Sequence, residues 1–195
     1  MNKQKRFLSS FSVFDLIISA MCAGMGVAIK PVIVPLIHII TGPLFIPGGA
    51  VAGGFYMIFI VLPAVFTGKR GTATLTCAVQ VILVITTGVV GSHGIISIVT
   101  YMVPGVIVDL HLLIFRGKPI NAVICIFAVL LANVSGSFLS NLVFFRLPFI
   151  PLMLTLFSAA LSGGIGGFIT WIIIKNLRQL TPFHSLYGKG GINEK

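Results

Sequence analysis

Six long apolar runs, at residues 12–30, 48–66, 72–90, 95–115, 120–142 and 150–175, are separated by short connections that carry the charge. A helix crosses the hydrocarbon core of a bilayer with about 20 apolar residues, so the pattern predicts an all-α integral membrane protein with six transmembrane helices. Alternating the connections between the two sides puts Lys3, Lys5, Arg6, Lys69, Arg70, Arg116, Lys118, Lys175, Arg178, Lys189 and Lys195 on one side, and only Lys30 and Arg146 on the other. Basic connections face the cytoplasm, which predicts cytoplasmic N and C termini; an odd helix count would scatter these residues. Residues 31–47 are apolar but interrupted by Pro31, Pro35, Pro43 and Pro47. Proline removes a backbone donor and opposes a continuous helix, so this segment is expected to be an outer lid or re-entrant loop lying on protein, where irregular backbone is tolerated.

Within the first run Ala20, Gly24 and Ala28 recur every four residues, with Gly26 nearby. They share one helix face, and small residues there let another helix approach closely in lipid. That face is either a docking surface or internal packing. Gly48, Gly49, Gly53 and Gly54 in the second run, and Ala159, Gly163 and Gly167 with Gly164 and Gly166 in the sixth, predict close helix contacts inside the bundle. Residues 1–180 read as one membrane domain, and the polar, glycine-bearing residues 181–195 as a flexible cytoplasmic tail.

Composition strengthens the membrane reading. Hydrophobic residues make up 57% of the 195-residue chain and charged residues 8%, with mean hydropathy +1.13, more apolar surface than a soluble domain of this size can bury. The net charge of +10 would raise the question of nucleic acid in a soluble protein; here loop topology accounts for it, and no nucleic-acid partner is expected. Cys22, Cys77 and Cys125 fall inside apolar runs without metal-ligand spacing and read as buried thiols. The basic start followed by an apolar run lacks a good cleavage site, so the first helix is expected to be retained.

No catalytic constellation is present. The three acids, Asp15, Asp109 and Glu194, are too dispersed for paired acid and base work, and HExxH, GxSxG and P-loop motifs are absent. An enzyme is not expected, and neither is a cofactor or a bound metal. Asp109 lies inside the fourth run, where an ionisable residue is costly and turned toward a partner or water; Asp109 and His111, two apart, point to different faces. The polar residues of the outer half are more suggestive: Lys30, His38, Thr41, Thr86, Thr87, Ser92, His93, Tyr101, Asn133, Ser137, Asn141 and Arg146. Asn133, Ser137 and Asn141 form one stripe, lining either a ligand cavity or a helix contact. No outer carboxylate would balance a cation, so a solute of neutral or acidic character is expected.

A chain of this length with six helices, cytoplasmic ends, a small-residue face on helix one and a lid after it resembles the substrate-binding S component of energy-coupling factor (ECF) vitamin transporters, over roughly residues 12–175. Ala20, Gly24 and Ala28 match the alanine-rich face that docks on a membrane coupling subunit, itself driven by two cytoplasmic ATPases. The resemblance implies an ABC-type transporter subunit in a prokaryotic plasma membrane that captures a small water-soluble vitamin or precursor outside and topples to release it inside. Lys30, His38, Thr41, His93, Tyr101, Asn133, Ser137, Asn141 and Arg146 are the candidate binding residues. Cobalt and nickel members begin Met-His, whereas this chain begins Met1-Asn2, so a metal substrate is not expected; thiamine members would be expected to use an acid, which this outer half lacks. The alternative is a self-contained secondary transporter or channel acting as a homo-oligomer, with Asp109 as its relay. Reporter fusions to each end of the chain are expected to read cytoplasmic, and an external C terminus would break the six-helix topology.

Overall fold

The computed structural model describes residues 11–88 and 96–179, and among them the secondary structure is helical throughout, without strands. In chain order the helices are α1 (Val13–Thr41), α2 (Gly48–Tyr56), α3 (Ile58–Thr67), α4 (Thr72–Thr87), α5 (Ile96–Ile114), α6 (Ala122–Ser140) and α7 (Phe149–Gln179). Four spans are long and apolar enough to cross a membrane: Val13–Leu44, Gly48–Thr67, Ala122–Phe145 and Phe149–Gln179; Thr72–Thr87 and Ile98–Ile114 are shorter apolar helices. The chain is therefore a multi-pass membrane protein. The tail expected at residues 181–195 and the candidate ligand His93 lie outside the described residues.

The lid expectation is corrected by α1. The helix does not stop at Lys30 but continues through Pro31 and Pro35 to Thr41. The two prolines are spaced by four and both exposed, so together they remove only two N–H donors, those that would serve the Val27 and Pro31 carbonyls. Membrane helices tolerate such losses. The other two prolines do break the helix: Pro43 sits in a one-turn 3-10 segment, Gly42–Leu44, and Pro47 precedes α2. What remains between α1 and α2 is a tight turn with Phe45 in the left-handed region, φ 57°.

Local signals fix the helix ends. Ser12 and Asp15 form a capping box at the start of α1: Asp15 N–H donates to Ser12 Oγ (3.2 Å) and Ser12 N–H to Asp15 Oδ2 (2.7 Å). The fully buried Asp15 carboxylate is also paired with Lys69, in the turn between α3 and α4. Gly68 and Gly71 make that turn with φ of 62° and 79°, a conformation glycine adopts without strain.

The α2–α3 unit is the centre of the bundle, with 67% of its span buried, against 28% to 39% for the other long spans. Its apolar side chains Ile60, Val61, Ala64 and Val65 meet Ala73 and Cys77 of α4, Val108 of α5 and Cys125, Ala128 and Val129 of α6. All three cysteines are free thiols and buried. Glycine sets the closest contacts. A Cβ at Gly166 of α7 would collide with the Gly54 backbone of α2, and one at Gly163 would come within 2.7 Å of Leu130 Cα in α6. Ser162 reinforces the α2–α7 contact by donating to the Val51 carbonyl and accepting from Gly54 N–H (3.0 Å).

Two neighbouring glycines of α7 test this packing. Gly166→Ala is expected to lower the unfolding free energy by at least about 2 kcal/mol, because backbone has to move. Gly164→Ala, which would meet nothing within 4 Å, is expected to leave stability unchanged or raise it by up to about 1 kcal/mol. Unfolding of both variants in detergent micelles checks this, and equal effects would contradict the backbone contact.

Candidate functional site

A cavity of about 380 Å³ opens at the end of the bundle where α1 gives way to α2, and its lining is mainly apolar. Small ligands bind in cavities of this kind, where a few polar groups fix orientation. α1 supplies Lys30, Val34 and His38; α2 supplies Gly48, Gly49 and Tyr56; α4 reaches in with Gln80, α5 with Tyr101 and Pro104, and α6 with Gly136, Ser137 and Ser140. Beyond α6 the backbone widens into a π turn, Asn141–Phe145, whose Asn141, Phe144 and Phe145 complete the wall. Such turns recur at functional sites.

Lys30 carries the charge of the cavity. It is only 7% exposed, and its Nζ lies 3.9 Å from the ring centroid of Tyr101 and 4.6 Å from that of Tyr56. Two aromatic faces stabilise an ammonium through their quadrupoles. Tyr56 is held in place by its hydroxyl, which donates to the Gly49 carbonyl at 2.8 Å. His38 is exposed, and its Nδ1 accepts from the Gly48 N–H at 3.3 Å, serving an otherwise unpaired donor at the start of α2.

Of the binding residues expected from sequence, Lys30, His38, Tyr101, Ser137 and Asn141 line this cavity. Thr41, Asn133 and Arg146 do not. Asn133 is fully buried and donates from Nδ2 to the carbonyls of Ala50 and Ala159, both at 2.9 Å, so it ties α6 to α2 and α7. Its stripe therefore splits: a glycine at position 53 leaves room for the Asn133 amide between helices, while the residues one and two turns on reach the cavity. Arg146 is exposed, in the left-handed region at φ 47°, and its N–H closes the π turn on the Asn141 carbonyl at 2.7 Å. Asn141 is partly structural too, since its Oδ1 accepts from Leu147 N–H at 2.9 Å. Gln80, Tyr56 and Thr155 were missed among the apolar runs, because isolated polar residues in an apolar helix carry no spacing signal.

Asp109 proves to be a cap. Its carboxylate on α5 accepts from Thr74 N–H (2.8 Å), Ala73 N–H (3.3 Å) and Thr74 Oγ1 (2.6 Å) at the start of α4, where Gly71 offers no side chain. The anion also complements the positive end of that helix. His111 turns the other way, its Nε2 3.1 Å from the Ile124 carbonyl.

The small-residue face of α1 points away from the bundle. Ala20 and Ala28 are exposed, and a Cβ at Gly24 would meet nothing within 4 Å. Gly26, on the other side of α1, is buried against Gln80.

A family model described as the permease component of an ABC-type cobalt transport system matches residues 14–135, from the start of α1 to the cavity wall in α6. The chain belongs to this family. Neither the curated proteins nor the solved structures contain a match to it. Within the matched residues Asp109 caps the start of α4. Asp109→Ala is expected to cost about 1–2 kcal/mol of stability through the lost cap, whereas Asp109→Asn, which keeps an acceptor, retains most solute uptake; abolition of uptake by the asparagine variant in a folded protein would make Asp109 a transport residue instead.

Proposed function

We propose that this permease component is the S component of an ECF-type ABC transporter in a prokaryotic plasma membrane. It captures a small water-soluble vitamin or precursor, neutral or acidic, in the cavity beside Lys30 and delivers it inward when docked on a membrane coupling subunit driven by two cytoplasmic ATPases. On this reading the chain forms one domain, and the two shorter apolar helices complete six crossings with both termini in the cytoplasm. The cavity then opens toward the outer side. The chain itself performs no catalysis.

One observation carries the proposal: Ala20, Gly24 and Ala28 form a smooth face on α1 that no helix of the described chain covers. In lipid such a face suits the docking of another helix, because close approach is what small residues provide. It is flanked by Met21 and Met25, 63% and 55% exposed, side chains that adapt to an irregular partner surface.

The family description names cobalt, but the cavity favours an organic solute. Its described lining offers an ammonium, phenols, amides and hydroxyls, and one imidazole whose Nδ1 is already engaged by Gly48. Divalent ions prefer carboxylates, thiolates or several imidazoles, and the Lys30 charge repels them. Among the described residues no group of three or more His, Cys, Asp or Glu is placed to hold a metal ion. A self-contained, ion-driven transporter is disfavoured by the capping role of Asp109.

Gly24→Trp tests the docking face. The variant is expected to lose co-purification of the coupling subunit and ATPases, and to lose uptake, while binding solute as the parent does, since the added side chain meets open space. Loss of folding or of solute binding would place the face inside the bundle's own packing, and retained partners and uptake would remove it as the docking surface.

A further inference from the structure

Among the described cavity-lining residues, Gln80 is the one whose side-chain polar atoms are fully buried and without a hydrogen-bond partner. It projects from α4, is fully buried and lines the cavity, and neither its Nε2 nor its Oε1 has a hydrogen-bond partner. Four other polar groups of the lining are hydrogen-bonded within the protein: Tyr56 with Gly49, His38 with Gly48, Asn141 with Leu147 and Thr155 Oγ1 with the Pro151 carbonyl at 2.8 Å. A buried amide without partners is costly wherever it occurs, and more so inside a membrane bundle. The chain nevertheless makes space for it. Gly26 of α1 lies directly against Nε2, and any Cβ at that position would collide with the amide.

We infer that Gln80 determines specificity by pairing with a flat, uncharged ligand edge on which a hydrogen-bond acceptor and a donor stand side by side. The inference rests on the S-component reading and names the substrate class of its cavity. An amide presents one donor and one acceptor in a plane, and both atoms are satisfied together only by the complementary pair. Glutamine reads the edge of adenine in this way. A carboxylate would satisfy Nε2 but face Oε1 with a second acceptor, and a bare cation would satisfy Oε1 alone. A primary carboxamide, a lactam, or a ring nitrogen beside an amino group satisfies both. The Tyr56 and Tyr101 rings elsewhere in the lining suit a planar body attached to such an edge.

The test uses the full chain in lipid nanodiscs and ligand-observed NMR titration with three probes, benzamide, 2-pyridone and 2-aminopyrimidine. Each is compared with its donor-blocked relative: N,N-dimethylbenzamide, N-methyl-2-pyridone and 2-dimethylaminopyrimidine. The wild-type chain is expected to prefer at least one unblocked probe by at least about tenfold, since a site that hydrogen-bonds its substrate rejects an analogue lacking the donor. Which pair discriminates identifies the amide, lactam or amino-heterocycle form. Gln80→Leu, of similar volume, is expected to collapse the preference below about twofold, and Gly26→Ala, which displaces the amide without deleting it, to reduce it. Equal affinity within every pair, discrimination that survives Gln80→Leu, or no saturable binding of any probe would overturn the inference. Co-purification of the coupling subunit through Gly24 is a separate readout, so failure here and failure of the S-component reading are distinguishable.

Discussion

Close approach of helix backbones at glycine is the constraint on which this structure depends. In lipid there is no hydrophobic drive between helices, and association depends on packing and on hydrogen bonds between them. Gly54 against Gly166, and Gly163 and Gly167 against α6, therefore do what large apolar side chains do in a soluble core. The same residue type makes the cavity. Gly48, Gly49 and Gly136 line it, and at Gly48 and Gly136 the missing side chain is what lets the neighbouring elements close around it. A Cβ at Gly136 would come within 3.0 Å of Met57 Cε, one at Gly48 within 2.6 Å of the Val34 carbonyl. Glycine thus sets both where the helices touch and where they leave room.

The second constraint is that every polar group inside the bundle needs a partner. Most find one on a neighbouring helix: Asn133 on two carbonyls, Ser162 on α2, Asp109 on the first turn of α4, and Arg178 Nη2 on the Val65 carbonyl at 3.1 Å. These residues act as struts. Lys30 and Gln80 are the cavity-lining pair that differ, because one is met by aromatic faces and the other by no hydrogen-bonding group; away from the cavity Ser19 Oγ, Thr41 Oγ1 and Asn133 Oδ1 are also without partners. Sorting polar residues by satisfaction and position together, for an unspent buried group that also lines the cavity, singles out Gln80.

That sorting also explains what was legible in the sequence. Apolar runs and glycine spacing revealed the helices and their contacts, since both depend on side-chain size and polarity alone. Ends were less legible. Pro31 and Pro35 read as breakers, yet α1 absorbs them, because a proline's effect depends on whether the carbonyl it abandons can be tolerated in context. The Asn133, Ser137 and Asn141 stripe showed the right face of α6, but a helix face can be shared between a contact and a cavity, and the division depends on Gly53 of another helix. Gln80 carried no signal, because its meaning comes from Gly26 across the helix interface.

α1 ties these strands together. Gly24 and Gly26 are two residues apart and so lie about 200° apart around the helix. Gly24 opens outward on the small-residue face, while Gly26 presses inward on the Gln80 amide. One turn further along, Lys30 enters the cavity from the same helix. A partner helix seated on Ala20, Gly24 and Ala28 would therefore bear on the element that carries Lys30 and packs against Gln80. A shift or rotation of α1 on docking would change the space that Gly26 leaves for the Gln80 amide. Energetic coupling between two sites is carried by an element whose equilibrium both of them bias, and α1 is the element that the outward face and the cavity share.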